Sequence, residues 1–75
     1  MLKKEDNLEK KIQKLLAKAD SPLETREIET SLKSTRIMTL YRLHNLRGEG
    51  RIQGKQIGSG KGTWIWWQNN AFKKN

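Results

Sequence analysis

The stretch "GKQIGSGKGTWIWWQ", residues 54–68, holds four of the chain's six glycines and all three of its tryptophans. Three indoles call for burial while the glycines beside them call for a tight, open backbone, and few folds of 75 residues satisfy both. With no cysteine, neither a disulfide nor a thiolate metal site can staple the chain. A domain of this length buries about 60–65% of the surface its unfolded form exposes, enough for one small core. Residues 1–70 are therefore expected to form a single domain, with 71–75 a frayed basic tail.

Gly58, Gly60 and Gly62 around Lys61 superficially suggest a phosphate-cradling loop. A P-loop needs its lysine followed by Ser or Thr at the start of a helix, whereas Lys61 is followed by Gly62 and a strand-prone run. A dinucleotide fingerprint fails as well, because no βαβ pattern surrounds the glycines. A hairpin remains, with "RIQGKQI" and "TWIWWQ" as strands and "GSGKG" as a cationic tip. Alternation puts Trp64 and Trp66 on one face and Ile65 and Trp67 on the other. Ile65 and Trp67 are expected to close the core. Trp64 or Trp66 is then left at least partly exposed, to cover the domain's own surface, form a homodimer interface, or stack on a sugar or base.

Before the hairpin the apolar period is helical. Leu8, Ile12, Leu15, Leu16 and Ala19 mark a first helix over roughly 4–19, with Lys10, Lys11, Lys14 and Lys18 on its other side. "DSPL" interrupts it. A second helix carries Ile28 and Leu32, and starts either with Pro22 in its first turn or with Thr25 as N-cap, the later start freeing 21–24 for a short extended segment. Ser34 and Thr35 can cap a third helix, "RIMTLYRLHNLRG", and Gly48 and Gly50 bracket its end. At 100° per residue, Ile37, Leu40, Leu43 and Leu46 fall inward, and Met38, Arg42 and Asn45 outward, with Thr35 and Tyr41 at the margins. His44, near the apolar side, is expected to be partly buried.

The net charge of +8 is unevenly placed. Residues 1–32 balance seven basic against seven acidic side chains, whereas Glu49 is the only acid among the seven basic residues of 33–62. An indifferent surface would not sort its acids into one half. Such asymmetry points to a polyanionic partner, nucleic acid before an anionic membrane.

Three helices with a tight turn between the second and third, followed by a glycine-tipped hairpin, resemble the winged helix-turn-helix family of small archaeal and bacterial regulators. The resemblance spans roughly residues 8–68, and its most specific piece is the third-helix exit Leu43, Leu46, Gly50 and Ile52, followed by the basic tip and "GTWIWW". It implies an α+β fold: a three-helix winged helix-turn-helix with a C-terminal two-stranded hairpin as the wing. It also implies a recognition helix at about 35–47 in the major groove and a wing at 54–62 on the backbone or minor groove. On these positions Arg42 is placed to pair with guanine, and Asn45 to read adenine or hold a phosphate. Ser34 and Thr35 would hold a phosphate oxygen at the helix N-terminus, and Arg36 would contact backbone or base. Met38 and Tyr41 would touch a thymine methyl or pack on neighbouring structure. Arg51, Lys55, Ser59 and Lys61 would serve the wing, and Trp64 and Trp66 an interface.

The expected function is double-stranded DNA binding and transcription regulation, with homodimerisation a candidate means of strengthening a contact that one helix makes to only a few base pairs. Two alternatives stay open: a protein-interaction module anchored on exposed tryptophan, and a non-sequence-specific nucleic-acid or chromatin binder relying on Lys55, Lys61 and the first helix's lysines. No Ser/His/Asp set, Cys/His pair or metal cluster is legible, so neither enzymatic activity, a cofactor, a metal nor a small-molecule ligand is expected. No apolar run reaches the ~18–20 residues of a membrane span, and "MLKKEDNLEKK" lacks the apolar segment of a signal peptide. A cytoplasmic, nucleoid-associated protein with no membrane partner is the expectation.

Overall fold

The computed structural model describes residues 7–58 and 62–68. Its elements run α1 (Asn7–Lys18), β1 (Leu23–Glu24), α2 (Thr25–Leu32), α3 (Arg36–Gly48), β2 (Ile52–Ile57) and β3 (Thr63–Gln68). The fold is α+β, with three helices packed on a three-stranded antiparallel sheet of order β1-β3-β2. The expected two-stranded hairpin thus gains a third strand: Leu23 and Glu24 pair with Trp66 and Ile65. α1 ends at Lys18, residues 19–22 including Pro22 carry the chain to β1, and α2 begins only at Thr25. Its start is held by Glu27, whose Oε1 accepts the Glu24 backbone N–H at 2.8 Å. The residues of the basic tail lie outside those described.

Two backbone devices set the angles between elements. Lys33, at φ 54°, takes the left-handed conformation that ends α2, and Ser34 N–H reaches back to Glu29 O at 3.0 Å. α3 starts two residues later, with Thr35 Oγ1 accepting the Met38 N–H at 3.2 Å. At the other end of α3, Gly50 (φ 80°) allows Arg51 N–H to bond Leu46 O and Gly50 N–H to bond Arg47 O, both at 3.0 Å. This pair of bonds satisfies the last helical carbonyls and turns the chain straight into β2.

The core comprises Ile12 and Leu16 of α1, Ile28 of α2, Leu43 and Leu46 of α3, Ile52 and Trp66, all at 0% exposure. Trp66 overturns the expected facing of β3. It is the largest buried side chain, while Ile65 and Trp67, expected to close the core, lie half-buried on the sheet's other face. Cross-strand pairing supplies the reason: Ile52 pairs with Gln68, Gly54 with Trp66 and Gln56 with Trp64, so these six share one face. Ile52 makes it the inner face. A Cβ on Gly54 would collide with Cε3 and Cζ3 of the Trp66 ring, so the missing side chain is the bed on which the indole lies. Trp66 Nε1–H then donates to Thr25 Oγ1 at 2.9 Å inside the core, which pins the start of α2 to the middle of β3.

α3 is also turned from its expected setting. Its buried residues are Thr39, Leu43 and Leu46; Leu40 is half-buried, and Ile37 is 79% exposed. Relative to the purely apolar arc, the inward direction is rotated by about 60° at 100° per residue. Thr39 accounts for the rotation. Its hydroxyl donates to Thr35 O at 2.6 Å and so accepts from the Ser34 hydroxyl, which satisfies a polar group that would otherwise be costly to bury.

Candidate nucleic-acid interface

The outward side of α3 carries Arg36, Ile37, Met38, Tyr41, His44 and Gly48, and Lys33 stands exposed in the turn before it. Thr35 is exposed at the N-cap, where its oxygen accepts one backbone N–H and its hydroxyl proton points to no acceptor among the described residues. Ser34, by contrast, is half-buried with its hydroxyl directed at Thr39, so its expected phosphate contact gives way to a bond within the turn.

Arg42 is the main correction on this helix. Instead of facing outward it points toward α1, with Nη1 3.9 Å from Glu9 Oε2 and a side chain only 23% exposed. Its guanidinium carbon also lies 5.1 Å from the centre of the Tyr41 ring, which leaves Tyr41 itself 57% exposed. Arg42 falls at the edge of the inward arc once Thr39 is at its centre, so a guanine contact from this residue is not supported by its placement. Asn45 is half-buried on the same flank. Met38 and Tyr41 do face out, at 42% and 57% exposure.

Three exposed residues of α3 escaped the sequence reading. Ile37 and His44 were assigned inward by a wheel that weighed apolar residues alone, and Arg47 was given no role. Arg47 reaches across to the hairpin, its Nε donating to Gly54 O at 3.3 Å and its guanidinium carbon lying 5.3 Å from the Trp64 ring centre. The signal that would have found this arrangement is Thr39, a residue able to return its hydroxyl to the backbone of the preceding turn.

The hairpin rests on an aromatic stack. Trp64 and Trp66 lie with ring centres 5.1 Å apart and planes 18° from parallel. His44 sets its edge against both, at 5.0 and 5.1 Å. Trp66 is thereby removed as an interface residue, and Trp64 covers this domain's own surface between Trp66, His44 and Arg47. Of the expected wing cations, Lys55 is exposed on the outer face of β2, and Arg51 is exposed with Nε 3.2 Å from Glu49 Oε1. Ser59 and Lys61 lie outside the described residues.

Among the described residues no group of His, Cys, Asp or Glu is placed to hold a metal ion, and no helix is long and apolar enough to cross a membrane. The sequence matches no protein-family model and no curated protein.

Proposed function

We propose that the chain binds double-stranded DNA as a winged helix-turn-helix, with α3 in the major groove and the β2–β3 hairpin as a wing against the backbone, and that it acts in transcription regulation at the nucleoid. The observation that carries this reading is the placement of charge. The whole basic excess lies from residue 33 onward, and Lys33, Arg36, Arg47, Arg51 and Lys55 are all exposed on α3, its flanking turns and the hairpin. A major groove about 12 Å wide accepts one helix, and α3 exposes Arg36, Ile37, Met38 and Tyr41 on its outward side. The proposed role is binding alone, without catalysis or a cofactor. Homodimerisation, if it strengthens the contact, would have to use a surface other than Trp66.

A fluorescence-anisotropy titration of a random 20-base-pair duplex over a salt series tests the reading. Neutralising five or six phosphates gives a slope of log K against log[salt] of about −5, a loss of roughly 10³-fold between 50 and 200 mM salt. Arg36→Ala is expected to make the slope shallower by about 1. Arg42→Ala, whose side chain is turned to Glu9, is expected to leave it unchanged. A salt-independent response in the parent protein rejects the DNA-binding reading.

One observation favours a second reading. Ile37, Met38 and Tyr41 form an exposed apolar patch, which suits a protein-interaction module. Binding of a protein partner at high salt, where DNA contacts are lost, would separate the two.

A further inference from the structure

The centre of the outward α3 face is apolar. Ile37 is 79%, Tyr41 57% and Met38 42% exposed, whereas the long polar side chains that read base edges by hydrogen bonding are turned elsewhere. Arg42 points to Glu9, Arg47 donates to Gly54 O, and His44 packs edge-on against two tryptophans. Arg36, at the first helical position, is exposed and its side chain has no bond to the other described residues, so it is free for a phosphate or a base at one end of this apolar face.

Resting on the DNA-binding reading above, we infer that α3 selects its site by apolar contact with thymine C5-methyl groups, read by Ile37 and Tyr41 with Met38 beside them. Thymine is the one standard base that presents an apolar group in the major groove. Ile37 and Tyr41 are four residues apart, about 6 Å along the helix axis, close to two base-pair steps of 3.4 Å. The two side chains therefore reach methyls about two base pairs apart. An apolar patch with exposed cations beside it, Arg36 on the same helix and Lys33 in the turn before it, calls for an apolar spot within an anionic surface. A second copy of this chain does not provide one, because it would bring the same cations against each other in a protein of net charge +8. Thymine-bearing duplex does.

The test compares a 20-base-pair alternating dA–dT duplex with its dA–dU counterpart, which lacks only the methyls. Burying one methyl is worth about 0.8 kcal/mol, or roughly fourfold in affinity, so two methyls give about 15-fold tighter binding to the thymine duplex. Salt slopes on the two duplexes are expected to be equal. In Ile37→Ser/Tyr41→Ser the preference should fall to within twofold while the slope is retained. Both changes lie on the surface, and an unaltered thermal melt confirms that the variant is folded. Equal binding of the two duplexes by the parent, with a steep salt slope, overturns the methyl contact and leaves DNA binding standing. A preference that survives in the double variant also overturns it, since the methyls would then act through DNA shape. If sedimentation shows a dimer that the double variant converts to monomer with DNA affinity unchanged, the face belongs to a second copy and the inference is wrong. Failure to bind either duplex at 50 mM salt rejects DNA binding itself.

Discussion

Trp66→Ala is expected to remove most of the domain's stability. The side chain is fully buried, fills the space between α1, α2 and the sheet, and carries the hydrogen bond to Thr25. Truncating a buried tryptophan costs about 3–5 kcal/mol in lost transfer energy and cavity. Leaving the Thr25 hydroxyl buried without its donor adds about 1 kcal/mol or more. Against these stands a total stability of about 4–11 kcal/mol for a domain of 75 residues, with the low end usual for so small a core. Urea unfolding followed by far-UV circular dichroism should show the midpoint collapsing toward zero denaturant. Trp67→Ala, on the half-buried outer face of the same strand, should cost about 1–2 kcal/mol. The reverse order of effects would mean that β3 faces the other way.

Gly54→Ala is expected to destabilise by about 1–3 kcal/mol, the range for overpacking a well-packed core. The sign is the informative part. Glycine inside a strand is ordinarily a weakness, and replacing it with alanine typically gains about 0.5–1 kcal/mol. Here the new Cβ would enter the Trp66 ring, which cannot retreat because Trp64 stacks on it and Thr25 holds its N–H. Denaturant unfolding of Gly54→Ala, Trp66→Phe and the double variant should give a coupling energy above 1 kcal/mol, since the smaller ring leaves room for the methyl. Additive losses would show that the two residues are not in contact.

These two residues also mark how far the sequence could be read. Helix positions followed from apolar spacing, the α3 boundaries from Thr35 and Gly50, and the hairpin from its glycines, because each depends on neighbours within a turn or two. The extended segment before Thr25 was one of two readings, since Ser21 and Pro22 could equally have opened α2, and its pairing with β3 was not legible, because a strand of two residues carries no period. Alternation divided β3 into two faces without saying which was inward. That choice was made across the sheet, by Ile52 and by the bare backbone of Gly54 opposite Trp66. In α3 the wheel placed four aliphatic residues inward and missed the hydroxyl chain of Ser34, Thr39 and Thr35, which buries a threonine and turns Ile37 out and Arg42 in. The candidate interface shifted with it. Met38 kept its outward position and Tyr41 moved out from the margin, while Ser34, Arg42 and Trp66 were drawn into the structure.

Amide chemical-shift mapping on the ¹⁵N-labelled protein, titrated with a short duplex at low salt, tests the proposed use of this surface most directly. DNA binding through α3 and the hairpin predicts shifts concentrated at Lys33, Thr35–Met38, Tyr41 and Gly48 and along β2 around Lys55, with the amides of α1 little changed. Shifts centred on the lysine side of α1, at Lys10, Lys11 and Lys14, or no shifts at all, would contradict it.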